Sequence, residues 1–150
     1  MARADGDIVS TRLFPAPREQ VFRAITDPAQ LARWWGPHGF TSTFHEFDLR
    51  PGGAWRFVMH GPDGAEYPMT NRFVEIDEPE RIVIDHVQES HDFRLTMELA
   101  EEAGGTRLTW RMRFASAEEA ERVRSFILTA NEENFDRLGA VLASHADCGA

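Results

Sequence analysis

The chain has no lysine, one cysteine, one tyrosine and no long apolar run. Each absence excludes a class of function. Without lysine there is no Schiff-base nucleophile. All 16 basic residues are arginine, which reads as coding bias rather than as sixteen selected bidentate contacts. Cys148 stands alone in "HADCGA", so no internal disulfide framework can form and a reducing, cytoplasmic setting is expected. No stretch approaches the roughly 20 apolar residues of a membrane span, and "MARADGDIVS" lacks the apolar core of a signal peptide. GxSxG, P-loop and GxGxxG patterns are missing, which leaves nucleophilic hydrolysis and nucleotide binding without a motif. His38, His45, His60, His86, His91 and His145 fall into no HxH, HExxH or Cys/His spacing, so neither a metal nor a cofactor is expected.

A formal net charge of -9 disfavours a phosphate backbone or an anionic membrane as partner, because either is repelled at long range. Paired carboxylates such as Glu118 and Glu119, or Glu132 and Glu133, sit where a solvated helix face is expected. At 150 residues the chain fits one domain with its own core, with an ordered part from about residue 8 to 143 and looser ends before residue 7 and after Ser144.

What is present is organised simply. "IVSTRLF" is a strand, and Pro15 and Pro17 stop it and open a helix, "PREQVFRAIT". "DPAQLARWW" restarts with Asp27 as N-cap, Pro28 at the first helical position and Gln30 three after the cap, and Gly36 and Pro37 end it. From residue 41 to 115, turn signals at 51–53, 61–64, 78–79 and 104–105 delimit about six strands. Alternation is cleanest in "DFRLTMEL" and "TRLTWRMRF", as expected for an antiparallel sheet with one wet and one apolar face. "SAEEAERVRSFILTANEENFDRLGAVLAS" reads as one long amphipathic helix with Ser116 and Glu119 as a capping box. Its stripe is Ala120, Val123, Phe126, Ile127, Ala130, Asn134, Leu138, Val141 and Leu142.

This order predicts an α+β, helix-grip fold. A curved antiparallel sheet of about seven strands wraps around the C-terminal helix, and two short helices after the first strand plug one end. A sheet curled around one helix is not filled by that helix alone, so a cavity is expected.

The segments "VFRAITDPAQLARWWGP", "FDLRPGGAWRFVMHGPDGAEYPM", "FVEIDEPERIV" and "GGTRLTWRMRF" with the terminal helix resemble the START-like, SRPBCC helix-grip superfamily. More narrowly, they are similar to bacterial homologues of the C-terminal domain of the activator of the ninety-kilodalton heat-shock-protein ATPase. The resemblance implies the fold strongly and the function weakly, since such folds bind lipids, hormones and polyketides or catalyse cyclisations. The eukaryotic co-chaperone carries a further N-terminal domain for which this chain has no room, so ATPase activation and a chaperone partner are not expected to carry over. Asn71 also stands where the family pattern has glycine.

Candidate site residues are those that the pattern turns inward. Trp55, Phe57 and Met59 alternate on one strand; Met69, Asn71 and Phe73 share a face with Tyr67 on the next; Ile82, Ile84 and His86 share one on the third. Phe93, Leu95 and Met97, then Trp110 and Met112, continue the apolar face, and Phe126, Ala130 and Asn134 lie on the helix stripe. His86, Asn71 and Asn134 are polar within apolar faces and are expected to orient a ligand, with His86 the group available for acid or base work. In "ARWWGPHGF", adjacent helical residues diverge by about 100°, so one tryptophan is expected inside and the other on the outer edge or a partner. The family pattern favours Trp35 inside, with Gly36 and Gly39 letting the following loop turn and act as a gate.

The leading expectation is binding of a small, largely apolar organic ligand in a cavity of roughly 300 to 1,000 Å³ between sheet and helix. The alternatives are a cyclase, dehydratase or isomerase on a polyketide-like substrate, and a co-chaperone-like interaction module. A homodimer is compatible with the sequence, which offers no exposed apolar strand as its interface.

Overall fold

The computed structural model describes residues 7–36, 38–87, 93–114 and 116–149, with side chains through Ser144. The expectations placed on the first six residues, Pro37, His91 and the side chains of His145 and Cys148 lie outside the described residues. Strand β1 (Asp7–Phe14) leads into helices α1 (Arg18–Thr26) and α2 (Pro28–Trp34). Strands β2 (Thr41–Phe47), β3 (Ala54–His60), β4 (Glu66–Asp77), β5 (Arg81–His86), β6 (Phe93–Glu102) and β7 (Gly105–Phe114) follow, then helix α3 (Ala117–Gly149). The seven strands form one antiparallel sheet in the order β1-β7-β6-β5-β4-β3-β2.

Local chemistry accounts for the element ends. Asp27 Oδ1 accepts from the Ala29 backbone N–H at 3.1 Å and Gln30 Nε2 donates to Asp27 Oδ2 at 3.1 Å, so the cap ties down the start of α2. At α3, Ser116 Oγ accepts from the Glu119 backbone N–H at 3.1 Å. α3 runs beyond the expected stop at Ser144, to Gly149, because no glycine or proline stands between those two residues. Register shifts at Phe44/Glu46 on β2 and at Phe73/Glu75 on β4 add residues on one strand and bend the sheet toward its concave side.

Register then sets which side chains meet on that concave side. Ile8, Met112, Leu95, Ile84 and Phe73 lie in one row across β1, β7, β6, β5 and β4. Ser10, Trp110, Met97 and Ile82 form the next row on one side. On the other side run Phe114, Phe93, His86, Asn71 and Trp55. The convex side carries paired charges, including Arg94 with Asp85 at 2.7 Å, Arg81 with Glu98 at 3.0 Å and Arg107 with Glu102 at 2.7 Å. These pairs are exposed, so each adds little stability.

The closed end of the concave side is filled by the C-terminal half of α3. Phe135 and Leu138 are fully buried and Val141 and Leu142 nearly so. Phe135 meets Phe14 edge-on at 6.0 Å and Trp110 at 5.6 Å. Neither Phe135 nor the buried Asn131 was on the expected stripe; α1, α2 and β1 all pack on this half of the helix, so its buried face is wider there. Phe126, placed on the stripe by periodicity, is 70% exposed.

Asp7 is the exception on the wet side. It is 1% exposed and accepts from Arg113 Nε at 2.8 Å, with Arg111 at 3.5 Å. The Arg113 hydrogen bond outweighs burial and holds the carboxyl below the usual carboxylate range. A depressed folded-state pKa means that the stabilisation is present above the unfolded value of about 3.9 and is lost as pH falls through the folded one. Asp7→Asn should therefore cost about 1–3 kcal/mol at neutral pH and flatten the acid limb of stability. Urea midpoints measured from about pH 3 to pH 7 check this; an unchanged acid limb would refute it.

Candidate functional site

A cavity of about 570 Å³ lies between the sheet and the N-terminal half of α3. Its floor is Trp110 and Met112 on β7, Phe93 and Leu95 on β6, Ile84 and His86 on β5, Met69 and Asn71 on β4, and Phe57 and Met59 on β3. Its roof is the first half of α3, with Val123, Phe126, Ile127, Ala130 and Asn134. Trp35, Gly36 and Phe40 line it from the α2–β2 connection and Tyr67 from the start of β4. The cavity exists because α3 can pack tightly against the sheet over only half of its length.

Thirteen of the sixteen residues singled out from the sequence line this space: Trp35, Phe57, Met59, Met69, Asn71, His86, Phe93, Leu95, Trp110, Met112, Phe126, Ala130 and Asn134. Trp55, Phe73 and Met97 do not line it and belong to the packed core. The Trp55 ring lies 4.9 Å from Trp35 and 4.7 Å from Phe57, and Phe47 packs on both Trp55 and Phe73, so neighbouring aromatics cover these positions. Sequence reasoning missed Phe40, which no strand pattern marks, and Glu119 and Arg122, which lie at the cavity rim, Glu119 half-buried and Arg122 exposed. Ile84, Val123 and Ile127 were read as interior but not as lining.

The polar groups divide into two sets. His86 Nδ1 and Asn71 Oδ1 lie 2.8 Å apart, both residues buried, on directly paired positions of β5 and β4. With the amide in this orientation Nδ1 is the donor. Asn134 lines the same cavity, but its amide is committed elsewhere. Its Oδ1 accepts from the Gly36 backbone N–H at 2.8 Å and its Nδ2 donates to the Ala130 carbonyl at 3.3 Å. The expected convergence of three polar groups is thus a buried pair plus a loop anchor.

The double tryptophan departs from expectation for a local reason. α2 ends at Trp34, and Trp35 is extended (φ -70°, ψ 123°), so the angular divergence of helical neighbours does not separate the two rings. Trp34 is fully buried and its Nε1 donates to the Ala24 carbonyl at 2.9 Å; it is core, not outer edge. Trp35 is half-buried, 5.6 Å from Trp110, and lines the cavity. The loop that follows is strapped to α3. Arg137 donates to the Gly36 carbonyl at 2.9 Å and to the Arg33 carbonyl at 3.0 Å, and the His38 backbone N–H donates to Glu133 Oε1 at 3.1 Å. A gate here would have to break these bonds. Burial pushes the Arg137 guanidinium pKa down.

Among the described residues, no three His, Cys, Asp or Glu side chains come together where a metal could be held, and no helix is long and apolar enough to cross a membrane.

A curved antiparallel sheet gripping one long helix, with two short helices at one end, defines a helix-grip protein of the START-like type. Residues 15–143 match the family described as Activator of Hsp90 ATPase homolog 1-like protein, and the chain belongs to that family. Among curated proteins, none matches it in sequence. A solved structure of a protein from Nitrosomonas europaea is similar at 21% identity and TM-score 0.86, covering 97% of this chain and 99% of that one. A protein from Mycobacterium smegmatis is 29% identical with TM-score 0.80, covering 93% and 92%. The AHSA1 protein from Silicibacter pomeroyi is 22% identical with TM-score 0.75, covering 93% and 99%.

Gly36 tests how firmly the strap is built. Its φ is +107° and an added Cβ would lie 2.7 Å from Met59 Cε. Gly36→Ala should destabilise the fold by about 1–3 kcal/mol through the positive-φ backbone, since the Met59 methyl can move aside. Urea unfolding reads this, and a neutral substitution would show that the loop is free to relax.

Proposed function

We propose that this chain encloses a small, largely apolar organic molecule between the sheet and the N-terminal half of α3. The observation that carries the reading is the cavity itself. Its volume of about 570 Å³ is within the usual range for small-molecule sites, and its lining is aromatic, aliphatic and thioether except at a few points. Met59, Met69 and Met112 supply flexible walls, which suits a ligand of variable outline. The His86–Asn71 pair offers polar orientation on the floor of the cavity. Family membership agrees with such a role without specifying the ligand.

A catalytic reading, as a cyclase, dehydratase or isomerase on a polyketide-like substrate, draws on the same pair, because the bond to Asn71 fixes the orientation of an imidazole that borders the cavity. It requires His86→Ala to abolish turnover and leave binding intact. A co-chaperone-like role draws on the family description alone and would use the surface.

Titration with the uncharged fluorophore N-phenyl-1-naphthylamine tests the binding reading. One saturable site is expected, abolished or weakened at least about tenfold by Ala130→Trp, which fills the space beneath α3. In a protein whose other tryptophans are phenylalanine, Trp35 emission should respond to the probe, whereas Trp34 alone should not. Absence of saturable binding, or equal binding to the filled variant, would overturn the proposal.

A further inference from the structure

Glu119 and Arg122 both line the cavity from the first turns of α3, beside Val123 and Phe126. They stand three apart, on one face of the helix, Glu119 half-buried and Arg122 exposed at the cavity rim; they form no ion pair with each other, and neither side chain has another partner among the described residues. Glu119 Oε2 is buried and lacks any hydrogen-bond partner. A buried carboxylate oxygen without a donor is costly, and such atoms are rare enough to require a reason. Ser116 meets Glu119 only through the backbone N–H, which donates to its Oγ, and makes no bond to the carboxylate.

We infer that the molecule held in this cavity is a neutral, hydroxylated apolar compound, whose O–H donates to Glu119 Oε2 while its oxygen accepts from Arg122. The inference rests on the ligand-binding reading above and adds the chemical class. Charge selects it: a carboxylate head would meet Glu119, an ammonium head would meet Arg122, and a pure hydrocarbon would leave the buried oxygen unpaired. A phenol or alcohol carries a donor and an acceptor on one atom and satisfies both side chains without net charge.

Displacement of N-phenyl-1-naphthylamine by naphthalene, 2-naphthol, 2-naphthoate and 1-naphthylmethylammonium compares the four heads on one apolar body. 2-Naphthol should bind at least about tenfold tighter than naphthalene, as expected for a hydrogen bond to a charged acceptor, and both ions should bind more weakly than 2-naphthol. In Glu119→Ala, which keeps the Ser116 cap because that bond uses backbone, the naphthol advantage should vanish while naphthalene affinity is unchanged. Circular dichroism confirms that this variant is folded. An equal affinity for naphthol and naphthalene, a preference for either ion, or an advantage that survives Glu119→Ala would overturn the inference while leaving the cavity reading standing. Failure of the probe and of all four compounds to bind would overturn the cavity reading itself.

Discussion

The structure depends on a mismatch of shapes: the concave side of a seven-stranded curled sheet is larger than one helix can cover. The mismatch is resolved unevenly along α3. The C-terminal half is pressed against β1, α1 and α2 and contributes Phe135, Leu138, Val141 and Leu142 to a dry core. The N-terminal half has no helix beside it, and its Val123, Ile127 and Ala130 are only half-buried over open space. Core and cavity are therefore two ends of one packing problem.

Buried polar groups mark where these two regimes meet. Asn131 Nδ2 donates to Ser10 Oγ at 3.1 Å and pins the middle of α3 to β1. Asn134, one turn further along the helix axis, holds the Gly36 loop. Each amide is satisfied by a distant part of the chain, so each fixes the position of the helix as well as its own hydrogen bonding. His86 and Asn71 instead satisfy each other within the sheet, and that arrangement leaves the pair facing the cavity rather than bridging it.

Much of this was legible in the sequence because period and punctuation are local. The two-residue alternation of β6 and β7, the Asp27-Pro28 cap and the glycine-proline turns each depend on neighbours within a few residues. The cavity wall was legible for the same reason, since inward-facing residues of adjacent strands must line whatever the sheet encloses. The misses have a common cause in long-range geometry. Whether Trp55 and Phe73 touch open space depends on which aromatics cover them, and that is decided across strands. Trp34 was misplaced because a helix assumed to continue through Trp35 stops one residue earlier. That Glu119 and the exposed Arg122 border the cavity could not be read until the position of α3 over the sheet was known.

Strand order has a consequence for how the molecule is made. Six strands, β2 through β7, pair with their sequence neighbours, so each hairpin can form as soon as its second strand exists. β1 is different: Asp7 pairs with Arg113 and Phe14 with Thr106, and the Ser10 and Arg12 contacts on α3 lie more than 100 residues away. During synthesis the first strand must remain unpaired until nearly the whole chain has emerged, with Ile8 and Phe14 exposed in the meantime. β1 is thus made before its partners and is among the last elements to find its place, against β7 on one side and α3 on the other.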